Sequence, residues 1–252
     1  MTLKTLCILF PLLFSCSCAL DKGSEQKNSK IPVTESITND SILLPEPTKD
    51  SSKDKPGLYT HAEKEAIFKL HDSAWVDLKR LIPDLSMDIR YASTNNFMQI
   101  KIYPCEACFL RKAVAKALLN AQIKLNEQNL GIHVFDCYRP QSAQKKLWQK
   151  KPDPRFVTNP QKGSMHSRGS AVDLTIINLN TGLALDMGTE FDYFGYEAYW
   201  SYKGLSKDIE ENRQLLLNTM EAQGFKTITT EWWHFSYRRS WYALSDMQWD
   251  CQ

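Results

Sequence analysis

The chain has 252 residues, enough for one sizeable core, with 42% hydrophobic and 24% charged residues. Its formal net charge of +2, with acidic and basic residues interspersed, excludes the basic stripe of a nucleic-acid-binding protein and reads as a solvated surface. No internal repeat is present, and nothing in the composition points to a protein partner.

The first residues predict export. Lys4 supplies a positive start, Leu6 to Phe14 is an apolar run too short to span a bilayer, and Ser15-Cys16-Ser17-Cys18-Ala19 offers small residues for cleavage. Leu13-Phe14-Ser15-Cys16 resembles a bacterial lipoprotein cleavage box, with Cys16 as the lipidated residue; ordinary cleavage near Ala19 is the alternative. Residues 1–18 are therefore read as a signal segment, ending before Cys16 if it is lipidated. Residues 19–57, rich in Lys, Ser, Asp, Asn, Thr and Pro, cannot bury enough surface to offset ordering entropy and read as a disordered tether. The expected location is the periplasm or cell envelope, with attachment to the membrane through the lipid.

The folded domain is expected over residues 58–252. Trp75 to Tyr91 reads as two extended pieces around Pro83. Val114, Leu118, Ala121 and Leu125 recur at three and four residues and predict an amphipathic helix over Leu110 to Gln128. A strand over Ile132 to Asp136 follows, with His133 turned outward, then a helix from Gln141 to Lys150. Ala171 to Ile177 reads as a strand, Lys207 to Gln223 as a helix ended by Gly224, and Ile228 to Tyr237 as a strand. Mixed elements without steady βαβ alternation predict a single α+β domain with a mostly antiparallel sheet packed by helices.

Export makes Cys105, Cys108, Cys137 and Cys251 disulfide candidates. Four cysteines allow three full pairings. Cys108–Cys137 is favoured, because Cys108 enters the long helix and Cys137 ends the strand after it; the bridge would anchor the loop that presents Arg139. Cys105-Glu106-Ala107-Cys108 as half a zinc knuckle or a redox pair competes weakly, since no second such pair exists.

Chemistry concentrates in Ser164-Met165-His166-Ser167-Arg168-Gly169-Ser170-Ala171-Val172-Asp173 and Glu231-Trp232-Trp233-His234. A hydrolytic zinc needs three ligands from the His and carboxylate set, an open position, and a base that is not a ligand. His166, Asp173 and His234 fit the first role and Glu231 the last. The competing readings are a buried Asp173 paired with Arg168 and a His166 on the surface. Residues three apart on a regular strand face opposite ways, so Glu231 and His234 meet one metal only if the chain bends near Glu231-Trp232. Arg139, just beyond a strand and beside Pro140, is suited to hold an oxyanion or clamp a carboxylate, against the alternative of a structural Arg139–Asp136 pair.

Asp136-Cys137-Tyr138-Arg139-Pro140, the Ser-x-His-x-x-Gly-x-Ala-x-Asp stretch, Met187-Gly188-Thr189-Glu190-Phe191-Asp192 and Glu231-Trp232-Trp233-His234 together resemble the VanX-like D-alanyl-D-alanine dipeptidases. These sit within the zinc peptidase group that also holds lysostaphin, D,D-carboxypeptidases and the hedgehog signalling domain. The resemblance covers roughly Asp88 to Tyr237. It implies one Zn2+ on His166, Asp173 and His234 in a cleft on the sheet, Glu231 as general base and acid, and Arg139 as transition-state stabiliser. It further implies Ser164, Asp192 and Tyr91 in the substrate pocket and Asn96 near its entrance. The chain departs from a familiar member at Cys137, which is Gly there, and at Met165, which is Ser. Hydrolysis of D-Ala-D-Ala and related small D,D-dipeptides of peptidoglycan metabolism is the implied activity. A D,D-carboxypeptidase or cell-wall endopeptidase, and a non-catalytic zinc-containing binding module, are the alternatives.

Overall fold

The structure, a computed structural model, describes residues 60–82 and 85–251. The expected signal segment, Cys16, the tether and the Pro83 turn lie outside the described residues. Among the described residues no helix is long and apolar enough to cross a membrane.

Thr60 and Glu63 form a reciprocal capping box that opens helix α1, His61–Lys69. Strand β1, Trp75–Asp77, pairs antiparallel with β3, Phe109–Arg111. Between them the expectation of two extended pieces fails in part. The Asp77 carboxylate accepts from the Lys79 N–H and starts a single turn, α2, Leu78–Leu81, which drives Leu78 and Leu81 fully into the core. Strand β2, Ser86–Met87, follows. Pairing with β1 also delays the long helix: α3 runs Lys112–Asn126, and its buried face carries Val114, Leu118, Ala121 and Leu125 as the periodicity predicts.

The main sheet has the order β2-β4-β5-β7-β6, with β4 Leu130–Asp136, β5 Ala171–Asn178, β6 Phe225–Ile228 and β7 Glu231–Tyr237. Only β2 is parallel to its neighbour, β4; the remaining pairs are antiparallel, so the fold is the expected α+β class. Helix α4, Gln141–Lys150, follows β4 directly, and α5, Lys207–Ala222, precedes β6. Gly224, at φ +89°, makes the left-handed exit from α5 that a side chain would disfavour. Val172, Leu174 and Ile176 join Leu118 and Leu125 of α3 and Leu216 and Met220 of α5 in the core. Alternation leaves Asp173 and Thr175 on the other face of β5.

The expected single strand over Ile228 to Tyr237 is instead a hairpin: β6 ends at Ile228, Thr229 and Thr230 turn, and β7 begins at Glu231. Its register jumps. Thr227 faces Phe235 and the next residue, Ile228, faces Glu231, so Trp232, Trp233 and His234 have no counterpart on β6. The irregularity spans the residues that follow Glu231, next to where a bend is expected. A smaller irregularity in β4 leaves Phe135 extra and sets Asp136 directly opposite Asp173.

Candidate active site

Asp173 and His234 are cross-strand partners on β5 and β7, so their side chains leave the sheet side by side. His166 comes from a short 3-10 turn, His166–Arg168, that Gly169 ends at φ +69°; a Cβ on Gly169 would lie 2.3 Å from the Trp75 ring, so the turn admits only glycine. All three side chains are buried. His166 Nε2, His234 Nδ1 and Asp173 Oδ1 form a triangle with edges of 3.1, 2.9 and 3.3 Å.

The outer ring nitrogens bear on what these atoms offer. His166 Nδ1 donates to the Cys137 carbonyl at 2.7 Å, and His234 Nε2 shares a hydrogen bond with the Ser236 hydroxyl at 2.8 Å, which either group can donate. With its proton on Nδ1, His166 turns a lone pair on Nε2 inward, and His234 Nδ1 does the same in the tautomer whose proton lies toward Ser236. In that tautomer two lone pairs and a carboxylate oxygen face one another, an arrangement that a cation between them relieves. Tetrahedral bonds of about 2.0–2.1 Å put ligand atoms about 3.3 Å apart, so the triangle fits a small divalent ion with a fourth position open. These residues are a candidate metal site. Burial alone would raise the Asp173 carboxyl, but the His166 and His234 imidazoles hold it below the usual carboxylate range. Burial lowers His234.

Asp136 lies opposite Asp173 and has a different company. Its carboxylate accepts from Tyr103 Oη, the Cys137 N–H, and Nε and Nη2 of Arg139 at 2.7–3.0 Å. Arg139 Nη1 donates to Gln144 Oε1 at 2.9 Å, and Nη2 stands 3.8 Å from Asp173 Oδ2. Arg139 is thus both half of a structural pair and a wall of the cavity. Burial works against its charge, yet Asp136 and the Tyr91 and Tyr103 hydroxyls hold its proton more tightly than usual.

A cavity of about 140 Å³ collects the predicted residues: the triad, Arg139, Glu231, Ser164, Tyr91 and Asp192 all line it. Glu231 is buried, and burial together with the charges of Asp173 and Asp192 pushes its carboxyl well above the ordinary range, with Arg139 opposing. Tyr91 Oη donates to Asp192 Oδ2 at 2.9 Å. Burial and the Asp173 charge raise Asp192 to about 7. Asp192 sits at φ +60°, in a segment clamped by the Arg213 guanidinium, whose Nε and Nη2 donate to the Met187 and Glu197 carbonyls.

Asn96 stands next to the cavity wall and acts on backbone. Its Nδ2 donates to the carbonyls of Arg90, Ser93 and Ile100, which staples a loop, and its neighbour Phe97 lines the cavity in its place. Arg168 does not partner Asp173: its Nη1 donates to the Tyr242 carbonyl. His133 bonds Ser86 and stays outside the site. Disulfides join Cys108 to Cys137 and Cys105 to Cys251, so Cys105 and Cys108 form neither a redox pair nor half a knuckle. Phe97, Phe156, Phe194 and Ser236 also line the cavity; no spacing in the sequence points to them.

Three inward-facing ligand atoms, a buried glutamate that is not one of them and an arginine on one small cavity define a hydrolase of the peptidase class. Residues 71–249 match the Peptidase M15 family, described as D-ala-D-ala dipeptidase, and the chain belongs to that family. It is 39% identical over 164 residues to the D-alanyl-D-alanine dipeptidase of Escherichia coli (strain K12), covering 64% of this chain and 82% of the relative. The enzyme of that name from Enterococcus faecalis (strain ATCC 700802 / V583) is 30% identical over 184 residues, covering 65% and 91%. Likeness to a solved LdcB LD-carboxypeptidase is looser, with a TM-score of 0.38 at 19% identity over 73% of this chain and 82% of that one. The sequence relation carries the assignment.

Proposed function

We propose that the protein hydrolyses D-Ala-D-Ala and related small D,D-dipeptides of peptidoglycan, using one Zn2+ held by His166, Asp173 and His234. The observation that carries this reading is the triangle of two imidazole nitrogens and a carboxylate oxygen on the same small cavity as Glu231 and Arg139. When bound, the ion supplies Lewis acidity to the scissile carbonyl and acidifies water.

The chain's own groups do the rest. Glu231 is the base that takes a proton from the attacking water and returns it to the leaving amine, from a buried position on the same cavity as the triad. Arg139 spends three of its five N–H donors on Asp136 and Gln144, which fixes the guanidinium and leaves two for the developing oxyanion. Asp192, oriented by Tyr91, receives the substrate ammonium. Ser164 Oγ accepts from the His166 N–H, which leaves its hydroxyl proton for the substrate carboxylate. Both ends are then read by polar groups on the one small cavity, so a blocked terminus strands a charge and is refused.

The location is part of the same proposal. The Lys4-to-Ala19 pattern supports export, Cys16 supports a lipid anchor, and the polar composition of residues 19–57 supports a tether to a domain beginning near residue 58. Labelling with radioactive palmitate that persists in Cys16→Ala contradicts the anchor.

Hydrolysis of D-Ala-D-Ala, its N-acetyl form and a stem pentapeptide, with elemental analysis of the same sample, tests the function. Turnover of the free dipeptide alone, with about one zinc per chain, is the expected result. Faster release of D-Ala from the pentapeptide makes the protein a carboxypeptidase, and a metal-loaded protein inert to all three makes it a binding module.

A further inference from the structure

Three phenylalanine rings from three separate loops meet on one wall of the cavity. Phe194 is central, 5.2 Å from Phe97 and 5.0 Å from Phe156 between ring centroids, and Lys151 Nζ lies 4.2 Å from the Phe194 ring. All three rings line the cavity and are half-buried, whereas His166, Asp173, Glu231 and His234 are buried. The rings are thus more exposed than the reacting groups, and Thr158 and Arg238 of the same lining are more exposed still.

Each loop is held. Asn96 ties its side-chain amide to three carbonyls and so fixes Phe97. The Phe156 N–H closes a turn on the Asp153 carbonyl, and Arg155 chelates the Asp153 carboxylate. Arg213 clamps the segment on both sides of Phe194, at Met187 and Glu197. Edge contacts among the rings and the Lys151 cation over Phe194 add to this. Phe97 also packs edge-on against Tyr91 at 6.3 Å, and Tyr91 is the residue that orients Asp192.

That placement gives the rings a direction. They flank the Tyr91–Asp192 pair, where the substrate ammonium would rest. A substrate with one more residue on its N-terminal side carries an amide there, and its extra residue must pass through the space that Phe97, Phe156 and Phe194 fill. From this arrangement we infer that the Phe97–Phe194–Phe156 cluster is an apolar gate that sets substrate length by blocking N-terminal extension. This rests on the proposed dipeptidase reading and names the residues that separate it from carboxypeptidase action on the same metal site. The unsatisfied Asp192 charge and the gate act on the same substrates by different means, one through desolvation and one through volume.

The test compares kcat/KM for D-Ala-D-Ala with that for L-Ala-D-Ala-D-Ala, in which water adds across the last peptide bond and D-Ala leaves, in zinc-loaded wild type, Phe194→Ala and Phe156→Ala. The tripeptide-to-dipeptide ratio is expected to rise about tenfold or more in Phe194→Ala, the scale of discrimination that apolar volume supplies, and less in Phe156→Ala. A merely structural ring would lower both rates together and leave the ratio unmoved. If Phe194→Ala does not melt cooperatively, Phe194→Leu is read by the same ratio. An unchanged ratio in a variant that still cleaves the dipeptide overturns the gate and leaves the proposed function standing. A wild type that cleaves the tripeptide as fast as the dipeptide also overturns the gate, and one inert to D-Ala-D-Ala overturns the function and the gate with it.

Discussion

Asp136 and Asp173 face each other across β4 and β5, both buried, yet they belong to opposite kinds of site. Asp136 is saturated: a tyrosine hydroxyl, a backbone N–H and two guanidinium N–H groups all donate to it. Asp173 is met by two imidazole nitrogens at 2.9 and 3.3 Å, the company of a ligand set and not of a saturated carboxylate. Buried carboxylates are stable when paired, and a cluster left short of positive charge is a place for a cation. The pair thus separates scaffold from chemistry within one strand spacing. Arg139 joins the two, because the saturation of Asp136 is what aims the guanidinium past Asp173 into the cavity.

The sharpest break between the two sides is expected at Glu231. Glu231→Gln keeps the cavity's shape and the ligands, so zinc stays bound while turnover of D-Ala-D-Ala falls about 10²–10⁴-fold, the scale of a lost general base. Loss of zinc in parallel with activity would make Glu231 a ligand.

Arg139→Ala strikes both sides at once. Turnover is expected to drop about 10²–10³-fold, and the protein to lose about 3–5 kcal/mol in denaturant unfolding because Asp136 is left as an unpaired buried charge. The double variant Asp136→Asn/Arg139→Met separates the two roles: stability recovers in large part, since no charge is stranded, and turnover does not. Recovery of both would deny Arg139 a part in the chemistry.

Ser236→Ala removes only the partner of the outer His234 nitrogen. A chelator-competition titration should show zinc affinity about 10–100-fold weaker, the scale for groups that orient a ligand, with partial rescue in Ser236→Thr. Unchanged affinity would mean that the imidazole is oriented by packing alone.

The smallest effect is on the pH dependence of stability. In metal-free protein burial and the Asp173 charge move Asp192 from 3.8 to about 7. A carboxyl with a raised folded value favours the folded state fully below its unfolded value, and that contribution is lost as pH climbs through the folded one. The melting temperature of the metal-free protein should therefore fall between pH 3.8 and about 7, and Asp192→Asn should flatten part of the slope. An identical slope in the variant would place the titration on Glu231 or elsewhere.

Much of this site is legible in the sequence because its parts are dense and ordered. The His166-to-Asp173 stretch and Glu231 to His234 carry ligand types that are costly to bury without a purpose, and β5 and β7 bring them together by ordinary cross-strand pairing. What escapes is set by long-range company. The Arg139–Asp136 pair is among the readings the sequence offers, but the Tyr103 hydroxyl that completes it comes from a distant loop with no spacing to announce it. Phe97, Phe156 and Phe194 come from three loops with no periodicity to link them, and Asn96 matches an entrance residue by resemblance while acting on loop backbone. The turn Leu78–Leu81 is missed because Asp77 caps it locally inside a stretch rich in β-formers, and the hairpin at Thr229-Thr230 because threonines read as strand.

The claim that Asp173 serves a cation and Asp136 serves the fold is tested most directly by zinc stoichiometry, measured per folded chain in wild type, Asp173→Asn and Asp136→Asn. The account predicts about one zinc for wild type and for Asp136→Asn, and none retained by Asp173→Asn. Equal zinc in both variants, or its loss from Asp136→Asn alone, would contradict it.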